Sequence, residues 1–143
     1  MPASAPTLQI EFVPRGETDA DLLLVGGVAS IRDALRLRRS LRKAISESRQ
    51  RFLLVDLHGI QRIEIAAIAM LAEALLCRSG KRPEVLLCGP SESVQRVFRM
   101  ARLQGLLGRC YSCREEAQRL ISADPGKVES LASQSGKEPL DSF

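Results

Sequence analysis

Four cysteines, one histidine and one acidic turn are the residues through which this chain could do chemistry. Cys110 and Cys113, in Cys110-Tyr111-Ser112-Cys113, have the C-x-x-C spacing of a dithiol pair or of half a metal site. A zinc centre would need two more ligands. Cys77 and Cys88 are available, but one falls on an expected buried helix and the other in an expected strand. The thiols are therefore read as reduced and structural, with no metal and no cofactor, and a small-ligand or redox protein using the Cys110 and Cys113 pair is kept as the alternative. His58 stands before Gly59 without a serine or cysteine nucleophile motif beside it, a poor setting for a triad base. The chain has no G-x-x-x-x-G-K-[ST], no G-x-G-x-x-G and no H-E-x-x-H, so nucleotide hydrolysis, dinucleotide binding and zinc hydrolysis have no support. That leaves the turn Glu64-Ile65-Ala66-Ala67.

This turn belongs to the stretch that organises the chain. Phe52-Leu53-Leu54-Val55 is short and apolar, as expected of a buried strand, and ends at Asp56, with a break at His58-Gly59. The Ala- and Leu-rich segment that follows, to about Leu76, has the length of a helix. Ligands and partners meet α/β sheets at the carboxyl ends of the strands, which makes Gln61 to Ala67 the candidate working surface.

The remaining elements follow from periodicity. Leu8 to Val13 alternates apolar and polar residues, and Asp21 to Val25 supplies a second strand ended by Gly26-Gly27; the two read as a hairpin. Ser30 is a candidate N-cap with Asp33 as capping-box partner, and Ile31, Leu35, Leu41 and Ile45, with Ala34 and Leu37 nearby, recur at helical spacing to about Ser46. The other face of that helix carries Arg32, Arg36, Arg38, Arg39, Arg42 and Lys43. This is either a solvated face or a docking face for an acidic protein or an anionic lipid surface. After a turn at Ser79-Gly80, Glu84 to Cys88 is a buried strand, and Ser91 or Ser93 caps a helix through Val94, Val97, Phe98 and Ala101. Leu103 to Leu107 reads as an apolar connector. Arg109 to Ser112 is expected as an edge strand and Arg114 to Ile121 as a last helix with Ala117, Leu120 and Ile121 facing in.

Composition sets outer limits. The 143 residues fit one domain, 1–7 and 123–143 being too polar or too rich in small residues to pack and so expected to be disordered, with the domain at 8–122. An aromatic fraction of 3% gives little material for stacking nucleic-acid bases, and no nucleic-acid partner is expected. The net charge of +4 permits an acidic partner without identifying one. With no apolar run of about 18 residues and no signal-like start, the expectation is a soluble cytoplasmic protein that does not insert into a membrane.

Local sequence at four places, in order, resembles the STAS domains of bacterial anti-sigma factor antagonists and of sulfate-transporter tails. The stretches are Leu24-Val25-Gly26-Gly27-Val28, then Leu54-Val55-Asp56-Leu57 with Ile60 and Ile63, then Val85 to Ser91 with Val94 and Val97-Phe98, and finally Leu103 with Leu106-Leu107 before Glu115-Glu116-Ala117. The resemblance spans roughly residues 8 to 122 and implies an α/β fold: a mixed sheet of about five strands with about four helices packed on it. It also implies a non-enzymatic regulatory module whose central helix opens with a phosphorylatable Asp-Ser-Ser-Gly or Asp-Ser-Thr-Gly. Here Glu64-Ile65-Ala66-Ala67 stands in that place, and Ala29 replaces an acidic residue. Phosphate has no oxygen to attach to at Ile65 or Ala66.

The expected partner surface is therefore Ser30, Ile31, Arg62, Glu64, Ile65, Ala66 and Met70, making contact rather than carrying a switch. Glu64 reads first as a first-turn acid favoured by the helix dipole, and second as a fixed charge mimicking a phosphorylated state. By resemblance the partner is an anti-sigma factor or histidine-kinase-like regulator of transcription; alternatively the chain is an accessory STAS subunit docking on a transporter ATPase. A homodimer is left open.

Overall fold

The computed structural model describes residues 7–15, 19–77, 81–103, 105 and 110–129. Its strands are β1 (Gln9–Val13), β2 (Ala20–Ala29), β3 (Phe52–Ile63) and β4 (Glu84–Cys88). Its helices are α1 (Ala34–Glu47), entered through a 3-10 turn at Ile31–Asp33, α2 (Ile65–Cys77), α3 (Glu92–Met100) and α4 (Arg114–Ala123), with a further helical stretch at 125–129. The sheet order is β1-β2-β3-β4, with β1 antiparallel to β2 and both other pairs parallel. This is the expected mixed α/β sheet.

Among the described residues no fifth strand develops. The edge strand expected at 109–112 reduces to one parallel bridge, Tyr111 to Cys88, in which Tyr111 N–H donates to Leu87 at 2.9 Å and its carbonyl accepts from Gly89 at 2.8 Å. Cys113 already caps α4, so little extended backbone remains to lengthen the ladder.

The strands flanked on both sides are buried on both faces. Leu53, Val55 and Leu57 of β3 join Leu23, Val25, Val85 and Leu87 in the larger core, with Leu37 and Leu41 of α1, Ile68, Leu71 and Leu75 of α2, and Val94 and Phe98 of α3. Phe52 and Leu54 point the other way and pack with Leu22, Leu86, Ala117 and Ile121. Alternation along one strand thus assigns α1, α2 and α3 to one layer and α4 to the other.

Four local expectations change. Neither Gly26-Gly27 nor His58-Gly59 ends its strand: β2 runs to Ala29 and β3 to Ile63, because Gly26 pairs with Gly59 and the parallel ladder continues through two register shifts. A Cβ at Gly26 would come within 3.3 Å of the Gly59 carbonyl oxygen, so the two bare backbones make that close pairing available. In α1 the inward face is Ala34, Leu37, Leu41 and Ala44, while Ile31 and Leu35 turn outward. Leu120 likewise sits at the rim of α4, with Ala117 and Ile121 carrying the packing. The turn at Ser79-Gly80 and most of the connector at 103–107 lie outside the described residues, as do 1–6 and 130–143.

The packed chain continues past residue 122. Val128 is buried in the smaller core, and the Glu129 carboxylate accepts from Arg51 and, at 3.1 Å, from Arg82. Partial burial alone would raise the Glu129 carboxyl, but the two guanidinium groups outweigh it and hold the group below its ordinary range. A carboxylate depressed by folding stabilises fully above its unfolded pKa and loses that contribution as pH falls through the lower folded value. Glu129→Gln should therefore lower stability in urea by roughly 1 kcal/mol at pH 7. That deficit should hold down to the usual glutamate range and shrink below it; a deficit independent of pH would mean that the ion pairs contribute nothing.

Candidate functional site

The carboxyl end of β3 and the first turn of α2 meet at Glu64. Its N–H donates to the Ala29 carbonyl at 2.8 Å, and its carbonyl accepts from Ala67 and Ile68 at 3.0 and 3.1 Å. Its carboxylate reaches across to accept the Ile31 N–H at 3.1 Å. One residue thus closes the β2–β3 ladder, starts α2 and satisfies a donor at the entry to α1 that has no helical partner of its own. The adjoining capping box is local: Asp33 Oδ2 accepts from the Ser30 N–H at 3.2 Å and from its hydroxyl at 2.9 Å.

Around this junction stand three aliphatic side chains in water. Ile31 is 66% exposed, Leu35 59% and Ile65 51%. Leu35 lies one turn beyond Ile31, and Ile31 is tied to the residue before Ile65, so the three belong to one surface. Of the surface expected from sequence, Arg62, Glu64 and Ile65 are exposed, Ser30 and Ala66 half-buried, and Met70 packs against the larger core. Ala67 is fully buried. Leu35 is the residue that sequence reasoning missed: its apolar side chain suits a core position, but Ala34, Leu37, Leu41 and Ala44 form the buried face of α1 and leave Leu35 outside it.

Between α1 and α2 this surface runs into a groove of about 260 Å³ lined by Arg38, Arg42, Ile45, Met70 and Glu73 among others. Glu73 faces two guanidinium groups there, Arg38 at 3.6 Å and Arg42 at 3.9 Å.

The cysteines lie elsewhere. At the N-terminal end of α4 the second face of the sheet opens into a groove of about 680 Å³ over Gly26, Gly59 and Gly89, with Asp56, His58 and Cys113 on its walls. Arg114 spans it to Asp56 at 3.7 Å. Asp56 Oδ1 accepts the backbone N–H of His58 at 2.9 Å. Cys113 is the exposed N-cap residue of α4, whereas Cys110 is half-buried against the larger core. Cys88 is fully buried, and burial first, then the Asp56 carboxylate, pushes its thiol well above the ordinary range. Among the described residues no group of three or more His, Cys, Asp or Glu side chains is arranged to hold a metal ion. No helix among them is long and apolar enough to cross a membrane.

This fold and junction define a STAS domain. Residues 13–108 match the family model described as "Mlab, STAS domain", and the chain belongs to that family. It is also similar to the solved structure of the anti-sigma factor antagonist SpoIIAA in its unphosphorylated form. The TM-score is 0.61 at 14% identity, covering 82% of this chain and 97% of that one, a likeness of fold. No curated protein matches the chain.

Two measurements check the site. Glu64→Ala should cost about 1 kcal/mol of stability in urea, with Glu64→Gln costing less because the amide oxygen still accepts the Ile31 N–H; equal and negligible losses would mean that the carboxylate does not hold the junction. In thiol labelling mapped by mass spectrometry, Cys113 should react in the native protein and Cys88 only after unfolding. Native labelling of Cys88 would contradict its burial.

Proposed function

We propose that this chain is a non-enzymatic interaction module that docks one partner protein through Ile31, Leu35 and Ile65 around Glu64. The observation that carries the reading is the exposure of these three aliphatic side chains at the carboxyl ends of β2 and β3. Scattered exposed aliphatics are ordinary, but here they share a rigid junction in which the polar groups are already hydrogen-bonded within the chain. Such a surface offers apolar contact and little polar chemistry.

By analogy with anti-sigma factor antagonists, the partner is an anti-sigma factor or a histidine-kinase-like regulator. A specific observation favours a second reading, an accessory STAS subunit held on a transporter ATPase. The positions where the resemblance expects hydroxyls are Ile65 and Ala66, one exposed and one half-buried, so phosphorylation there does not release the partner. A contact that is never released at this turn suits a permanent subunit.

Capture from the source cell by the full chain, compared with Ile65→Asp, tests the reading. A carboxylate at the centre of an apolar contact should weaken the complex by about tenfold or more, with the variant still folded by circular dichroism. An ATPase of a transporter among the lost partners supports the second reading, and a kinase-like regulator the first. An unchanged set of partners, or an Ile65-dependent homodimer as the only complex, would overturn the proposal.

A further inference from the structure

The outward face of α1 continues the docking surface with charge of one sign. Arg36, Arg39 and Lys43 recur at spacings of three and four residues and fall within one narrow stripe of the helix, with Arg32 in the 3-10 turn that leads into it. From Arg36 to Lys43, at 1.5 Å per residue, that stripe is about 11 Å long. Arg36 spends one N–H on the Leu8 carbonyl at 2.8 Å. Arg38 and Arg42, one step round the helix, face Glu73 across the groove. Arg32, Arg39 and Lys43 are exposed, and among the described residues none has a carboxylate within ion-pair distance. Leu35 lies one turn before Arg39, so the apolar surface passes directly into the cationic one.

From this continuity we infer that the partner's docking element is acidic as well as apolar: a segment that sets aliphatic side chains against Ile31, Leu35 and Ile65 and a row of carboxylates along Arg32, Arg36, Arg39 and Lys43. The inference rests on the docking reading and names the chemistry of its partner. An anionic membrane fits less well. Glu64 and Asp33 sit inside the apolar part of the surface, and lowering that part into lipid would strip water from two carboxylates without replacing their remaining hydrogen bonds. A protein can supply those bonds. The cations lie at the rim of the apolar contact, where charge complementarity acts mainly on the rate of association and is screened by salt.

The test places a photo-cross-linking amino acid at position 65 or position 39 of the full chain, in the source cell, and sequences the trapped peptides. Both positions should trap the same protein, and the peptide trapped from 39 should be rich in Asp and Glu. With that protein purified, Arg39→Glu combined with Lys43→Glu should slow association by roughly tenfold at low salt and by much less at 0.5 M salt. Restoration by Lys at the trapped acidic positions of the partner would complete the case. If position 65 traps a partner but 39 traps none, or the trapped peptide carries no acidic residues, the docking reading survives and this inference falls. If neither position traps a protein, both fall. As a separate arm, vesicles of 70% phosphatidylcholine and 30% phosphatidylglycerol should not retain the protein at 0.15 M salt; retention abolished by Arg39→Glu with Lys43→Glu would overturn the inference in favour of a lipid surface.

Discussion

The structure depends on the burial of β3 from both sides. Phe52, Leu53, Leu54, Val55 and Leu57 are removed from water in turn by α4 on one face and by the three-helix layer on the other. At about 1.5 to 3 kcal/mol for each large aliphatic or aromatic side chain, this strand alone contributes a substantial share of the apolar driving force. A parallel strand has no hairpin to fix its register, so β3 is aligned by what flanks it. Its pairing with β2 holds as far as Ala29↔Ile63, which delivers Glu64 to the end of the ladder.

From there Glu64 converts sheet order into site order. Its backbone completes β2 and begins α2, and its carboxylate orients the entry to α1. The exposed aliphatics therefore stand on rigid elements, and presenting them to a partner costs little additional ordering. The buried Asp21 does similar work at the opposite end of β2, accepting from the Arg15 N–H and the Ser48 hydroxyl at 2.8 Å each.

The fold class was legible because the elements that build it are strongly patterned. Glu84 to Cys88 is buried at every residue and its Val85 to Cys88 part reads as an apolar run, and the Ser30 and Asp33 capping box reads from spacing alone. Strand ends were less legible, since Gly26 and Gly59 look like breakers separately and become partners only when β2 and β3 lie side by side. The same holds for 125–129: Val128 is an isolated apolar residue in a polar segment, and only the gap beside Ile121 and Phe52 makes it core. Of the site, the turn was legible from its position in the α/β unit. The outward rotation of Leu35 was not, because a helical period specifies which residues share a face without specifying how that face is turned toward its neighbour.

The geometry at Glu64 also decides between the two meanings of its charge. A mimic of phosphate must offer oxygens to the partner, carry close to two negative charges and occupy the modified position. Glu64 carries one, precedes the hydroxyl positions by a residue, and already spends an oxygen on the Ile31 N–H. Withdrawing that oxygen to meet a partner would leave a donor at the entry to α1 unsatisfied, at a cost of about 1 to 3 kcal/mol once a partner had excluded water. Under the proposed docking reading the bond therefore stays intact, and the carboxylate serves to tie the Ile31 backbone to the start of α2. Control of binding, where it exists, has to act through contacts other than a phosphate at this turn.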